Sequence, residues 1–550
     1  MRQAGKVTEP GSGALFVAAG IFLSRILGLV RERIFAHYFG NSMAAAAFKA
    51  ALRIPNFLQN LLGEGVLSAS FIPVYARLLT EKERRSESDE LAGAVFGLLC
   101  VITGVLTALG LWAAPVMVDL VAAGFKGEAR ELTIRLVRIL FPGTGALVLS
   151  AWCLGILNSH RRFFLSYVSP VVWNFALIGC LLVWGRGRDQ SVLAGYLSYA
   201  AVAGSVLQFL VQLPSVLGLL GRFQPNFAVH KAAIRQVVRS FGPTLLGRGV
   251  VQISAYVDTA CASLISERAL SCMAYAQTIY LIPVSLFGMA ISAAELPALS
   301  QISGTETEIA DRLKDRLHTS SRRIVFFVLP TAATFFFLGD VVGGGLLQTG
   351  RFGPSDTRYL WYLLIGSSVG LLSNTLSRLY ASVFYALRDT KTPFYVGAIR
   401  VAITGVLAFL SATWLSKALG PQKELSAVGI TATFGFAAWI EMLLLKRQLV
   451  KRLPLGKIPS PIQGKVVAAG ALSVVVGLAI KLALAHHFGS LGSSFLPPPR
   501  LHPILTALMV LGPFGLSYLA LTYFWQVPES HALIQRITRP IEARRARRRL

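Results

Sequence analysis

Apolar runs of about 20 residues or more recur along this chain, roughly fourteen times, and short basic loops separate them. Nothing constrains the fold more, because a run of that length satisfies its backbone hydrogen bonds in lipid only as a helix. The runs cover residues 13–36, 44–79, 91–121, 132–157, 163–184, 191–221, 233–264, 270–300, 322–348, 358–387, 393–416, 425–446, 463–486 and 501–526. Only 14% of the 550 residues are charged, and mean hydropathy is +0.60. Soluble domains carry about 25% charged residues. The expected class is an all-α polytopic membrane protein.

Charge then sets orientation. With the N-terminus cytoplasmic, inside segments hold about 32 Lys/Arg and the opposite loops about 11. An even number of spans returns the C-terminus to the cytoplasm, so both termini are expected inside. The tail Arg544-Arg545-Ala546-Arg547-Arg548-Arg549 reads as an anchor to anionic membrane lipids. No aromatic residues interleave with it, so no nucleic-acid partner is expected despite a net charge of +27. The first apolar run flows into a second, and no cleavable signal peptide is expected. Cys100, Cys153, Cys180, Cys261 and Cys272 are scattered without metal spacing and read as packing thiols. The chain has no GxxxxGK[ST] loop and no HExxH, and His486-His487 simply close a helix. These features point to a transporter, not an enzyme, with no metal or other cofactor.

An internal repeat sets the expected domains. Leu67-Ser68-Ala69-Ser70-Phe71-Ile72-Pro73 is answered by Ile291-Ser292-Ala293-Ala294-Glu295-Leu296-Pro297, and Ile54-Pro55 by Ile282-Pro283. Further on, Gly155 to Arg161 loosely answers Phe384 to Thr390 at a similar offset. Six spans separate the copies, which gives two parallel six-helix halves, a transporter plan. The expected divisions are an N-terminal lobe at 1–228 and a C-terminal lobe at 229–452. Two further helices follow at 453–526, then a basic cytoplasmic tail at 527–550.

Against this apolar background the second run carries Lys49, Arg53, Asn56, Asn60 and Glu64, at steps of three and four residues. Such steps share one helix face, so a polar stripe crosses the membrane. Pro55 is expected to kink the helix. In the first run Arg25 and Glu32 share a face, Gly28 between them allows close approach, and Arg31 points about 120° away. Bases exceed acids here, so a cavity lined by them attracts anions, and arginine binds phosphate through paired hydrogen bonds. Glu32 and Glu64 read as ion-pair or gating partners. In the seventh run Arg248 shares a face with Gln252 and Thr259, while Asp258 either pairs with a base or binds a coupling cation.

These residues also carry a family resemblance. Ser24-Arg25-Ile26-Leu27-Gly28-Leu29-Val30-Arg31-Glu32 resembles the first-helix signature of MurJ (MviN-type) lipid II flippases, in the MOP exporter superfamily. The stretch Ile54 to Gly65 resembles that family's second helix. Leu347-Gln348-Thr349-Gly350-Arg351-Phe352 and Asp389-Thr390-Lys391-Thr392-Pro393 resemble two later landmarks. The resemblance implies alternating-access movement of undecaprenyl-diphosphate-linked peptidoglycan precursor to the outer leaflet of the bacterial cytoplasmic membrane, for cell wall biosynthesis. It implies a lipid-tail groove at 453–526, and a partner in the cell wall synthesis machinery. Arg25, Arg31, Lys49, Arg53, Asn56, Asn60 and Arg248 would bind substrate, with Asp258 and Thr433 as a cation site. Ala46, Gln59 and Thr278 stand where the family carries charges, and Thr404 and Ala408 replace asparagines that often accompany Asp258. Coupling is therefore left open between membrane potential and Na+ or H+. Two other readings stay open: a flippase for another polyprenyl-diphosphate saccharide, and a cation-coupled drug exporter of the superfamily.

Overall fold

A computed structural model describes residues 10–63, 67, 70–81, 85–221, 223–226, 232–289, 291–292, 295, 305–387, 389–452, 460–488 and 501–535. The helices are α1 (Pro10–Phe39), α2 (Met43–Leu62), α3 (Ile72–Thr80), α4 (Arg85–Val121), α5 (Gly127–Ser159), α6 (Phe163–Trp184), α7 (Gln190–Leu217) and α8 (Ala232–Ile265). They continue as α9 (Glu267–Pro283), α10 (Glu306–Leu347), α11 (Pro354–Ala386), α12 (Lys391–Leu410), α13 (Ser426–Arg452), α14 (Gly464–His487) and α15 (Pro503–Phe524). Over the described residues the apolar runs are mainly helical, and the second is interrupted after α2 at Gly63. The interruption follows from Gly63, whose backbone leaves helical values at ψ −131, and from Pro73 in the first turn of α3.

Among the described residues ten helices are long and apolar enough to cross a membrane, so this is a multi-pass membrane protein. Helices α1, α2, α3, α8 and α11 are not among the ten. Three of them hold the charges singled out above, and α11 holds Ser367, Ser368, Ser373, Asn374 and Ser377.

The chain divides into two compact units, one reaching Ser271 and including Thr349–Phe352, the other made of Cys272–Gln348 and the residues from Gly353. In the first unit Trp152 is fully buried against Phe96 and Phe223, and its indole donates to the Ala92 carbonyl at 3.2 Å. A side chain of that size contributes strongly once its N–H is satisfied. The repeat places the α8 run at the head of the second half, whereas α8 packs here in the first unit against α4 and α2.

The short segment Thr349–Phe352 also belongs to the first unit and clasps the end of α1. Arg351 N–H donates to the His37 carbonyl at 2.9 Å, and the His37 ring meets the Thr349 hydroxyl at 2.9 Å. Gly350 sits at φ +53, where a Cβ would lie 2.3 Å from the His37 carbonyl. Both the left-handed backbone and the close approach call for glycine, which gives the Gln348 to Phe352 landmark a structural reason.

In the second unit α11 packs between α10 and α13, and the α14–α15 hairpin packs on α10. The Asp389 landmark is a cap: its carboxylate accepts from the Lys391 and Thr392 N–H groups at 3.0 and 3.1 Å and pairs with Arg452. Burial pushes the Asp389 carboxyl up, but bonds from Thr392 and the charge of Arg452 outweigh it and hold it below the usual range. Cys153, Cys180, Cys261 and Cys272 are buried free thiols, and Cys100 is partly buried.

Candidate functional site

The site in the first unit begins with an alanine face. Ser42, extended at ψ 169, caps α2 by accepting from the Ala45 N–H. Ala44, Ala45, Ala46, Ala47, Ala50 and Ala51 are then buried, so neighbouring helices can approach α2 closely. Helix α5 packs along α2 and α6 along α1, and charged side chains of α1 and α2 meet. Glu32 receives the Lys49 ammonium on one carboxylate oxygen at 2.7 Å and the Arg31 guanidinium on the other at 2.8 Å. The side chains of Glu32 and Lys49 are each only 11% exposed. Charges so far from water persist only when closely paired, since burial costs several kcal/mol per ion.

From α6 comes a second layer. Arg31 also donates to the Asn174 side-chain oxygen at 3.2 Å and lies over the Trp173 ring at 5.0 Å. Lys49 lies over the Phe35 ring at 4.9 Å. Arg31, Glu32, Lys49, Phe35 and Trp173 line a small cleft of about 30 Å³ with Phe48 and Leu52. Helix α8 contributes the neighbouring turn. Arg53 donates to the Thr259 hydroxyl, and the Tyr256 hydroxyl donates to the Arg53 carbonyl at 2.8 Å. Asp258 stands near enough to Arg53 to interact with its charge. Among the described residues Arg31, Lys49 and Arg53 outnumber Glu32 and Asp258 by one positive charge.

The remaining sequence-derived residues are placed unevenly. Arg25 is exposed on α1, Asn56 is half-buried and Asn60 is exposed, so the α2 stripe runs from a buried end to an open one. Glu64 and the side chain of Arg248 lie outside the described residues. Thr433 is in the second unit, where its hydroxyl donates to the Ile430 carbonyl of its own helix. Two local expectations are corrected. Arg31 turns back onto its neighbour Glu32 despite their separation around the helix, because the arginine stem is long enough to wrap. Gly28 faces open space, and the close approach on α1 is at Gly20, where a Cβ would lie 2.8 Å from that of Tyr167. Helix α2 continues through Pro55 as one element.

The second unit holds a polar cluster that sequence reasoning missed. Arg400 on α12 pairs with Glu441 on α13 at 2.6 Å and donates to Asn374 on α11 at 3.1 Å. Asn374 donates in turn to the Tyr280 hydroxyl at 3.1 Å, and Arg400 lies over Phe434 at 4.5 Å. Isolated charges within apolar runs were the available signal, as they were for Asn174 beside Trp173.

Comparison with known proteins follows the same lines. The family described as "Lipid II flippase MurJ" matches residues 35–497. The chain is 29% identical over 474 residues to the lipid II flippase MurJ of Burkholderia cenocepacia, covering 84% of this chain and 89% of that one. It is 30% identical over 444 residues to the probable lipid II flippase MurJ of Rhizobium tropici, covering 78% and 79%. A solved structure of lipid II flippase MurJ in an inward closed conformation superposes with a TM-score of 0.74 at 22% identity, covering 93% of this chain and 99% of that one. An inward-facing multidrug resistance MATE family transporter of the MOP superfamily gives 0.62 at 15% identity, covering 80% and 98%. With the family matched across most of its length, the chain belongs to the MurJ lipid II flippase family.

Proposed function

We propose that this chain flips lipid II, the undecaprenyl-diphosphate-linked peptidoglycan precursor, from the cytoplasmic to the outer leaflet of the bacterial cytoplasmic membrane. The observation that carries the reading is the surplus of cations over acids among the described residues around Glu32, in helices of a membrane protein, beside a small cleft. A diphosphate is a dense anion, and arginine meets it with paired donors. Arg31 and Arg53 engage the diphosphate. Glu32 holds Lys49 and Arg31 in place when no substrate is present and releases them to it. Arg25, Asn56 and Asn60 extend the contact, Glu64 gates it, and Arg248 with Lys49 offsets the charges missing at Ala46, Gln59 and Thr278.

The same proposal includes fourteen crossings, both termini in the cytoplasm, lobes at 1–228 and 229–452 that alternate in access, and a lipid-tail groove at 453–526. Transport needs no bound cofactor. It is driven by membrane potential or by Na+ or H+ at Asp258 and Thr433, which ionophores would separate.

The test is reconstitution in vesicles with lipid II and a leaflet-resolved assay. Wild type should expose lipid II on the opposite face, and Arg31→Ala, Arg53→Ala and Arg248→Ala should each slow it. A wild type that moves no lipid II but moves another polyprenyl-diphosphate saccharide would replace this substrate with that one.

A further inference from the structure

Helix α10 is broken twice, and each break is closed by a side chain from another helix. Pro330 has no N–H, so the Phe326 carbonyl loses its helical donor. The Tyr518 hydroxyl of α15 donates to it at 2.7 Å. The second break is at Leu338, with φ −127 and ψ 20, where no proline stands. In the turn it opens, the Phe336 carbonyl accepts from the Trp361 indole of α11 at 2.9 Å.

Helix α14 grips that second break. Gly477 and Lys481, one turn apart, share a face. A Cβ on Gly477 would lie 2.8 Å from the Leu338 side chain, so the two helices touch at the break itself. One turn on, the Lys481 ammonium pairs with the Asp340 carboxylate at 2.7 Å, with side-chain exposures of 2% and 0%. Lys481 also lies over the Trp361 ring at 5.1 Å, and Gly339 leaves room for that ring, since its Cβ would come within 2.5 Å. A proline bend is written into a helix permanently. The bend at Leu338 has no proline to fix it; Gly339 beside it adds backbone freedom, and side chains of α11 and α14 meet it there.

We propose that Lys481 and Asp340 are positioning residues of transport. By pinning the break at Leu338 they let the α14–α15 hairpin set the bend of α10, which is released and remade as the transporter cycles. The cycle is that of the flippase reading above, on which this rests.

Wild type, Lys481→Arg and the double variant Lys481→Met/Asp340→Leu would be reconstituted and read for two quantities. One is amide exchange along α10, the other lipid II movement between leaflets. Replacing a buried ion pair by apolar groups of similar volume is commonly tolerated, so the double variant should fold. Its exchange over 336–344 should rise about tenfold with the rest of α10 unchanged. Transport should fall about tenfold, and Lys481→Arg should stay near wild type in both. A folded double variant that keeps wild-type exchange, or one that keeps wild-type transport, overturns the proposal. Should the double variant not fold, Gly477→Ala decides, because it crowds Leu338 without touching either charge. Raised exchange over 336–344 with slowed transport supports the proposal, and either quantity unchanged overturns it. Exchange is read without substrate, so a wild type that moves no lipid II overturns the flippase reading alone.

Discussion

Two charge clusters at membrane depth are built on opposite plans. Among the described residues around Glu32 the bases are in excess, the side chains keep a measure of exposure, and a small cleft lies beside them. Around Asp340 there is one acid, one base and almost no exposure. The first arrangement leaves positive charge to offer an incoming anion. The second is neutral as a pair and is closed over by the Trp361 ring of α11. Charge in a membrane helix therefore does not by itself indicate substrate contact. The balance of signs and access to space decide which role a cluster takes.

That contrast can be broken experimentally, most severely at the enclosed pair. Asp340→Ala strands a buried ammonium and should cost about 3–5 kcal/mol, seen as lost folded yield and a lowered thermal midpoint. Arg31→Ala should behave differently. It removes hydrogen bonds to Glu32 and Asn174 worth about 1–3 kcal/mol, while Lys49 still holds Glu32, so the protein folds and transport falls steeply. If Arg31→Ala costs as much stability as Asp340→Ala, the distinction between the clusters fails.

Smaller effects belong outside the spans. Asp389→Asn keeps a capping acceptor but removes the charge that meets Arg452, and should cost up to about 1 kcal/mol near neutral pH. The Asp389 pKa is depressed below its ordinary 3.8, so the cap's contribution is present above that value and is lost as pH falls through the lower, folded one. Melting curves should therefore show a constant gap between wild type and Asp389→Asn from pH 8 to about 5, closing only below about pH 4. The exposed pair of Arg130 and Asp119, at 2.6 Å, forms no part of either cluster. Asp119→Asn should leave the thermal midpoint and transport unchanged.

The helices were legible because lipid leaves a long apolar run little choice, and the α2 stripe because its steps of three and four repeat. The partners were not. Glu32 and Lys49 are 17 residues apart and were both noticed, yet their pairing depends on how α6 seats α1 and α5 seats α2. Asn174 stands 143 residues from Arg31, and Arg400 and Glu441 lie on different helices. Each was a solitary polar residue in an apolar run, visible as costly and silent about what repays the cost. Gly28 misled for the same reason: a glycine marks permission for close approach, and the neighbour that uses it is found only in the fold.

The pairing of Lys481 with Asp340 has a consequence for how the protein is made. The two residues are 141 positions apart in the chain, so α10 leaves the ribosome well before its partner exists. At about 5–20 residues per second the interval is about 7–28 s. Throughout it, a helix with an acid at its broken turn waits in or beside the bilayer for a base yet to be synthesised. Assembly of this half is therefore completed from its C-terminal end, and a chain truncated before α14 leaves α10 in place with its most deeply buried charge unanswered.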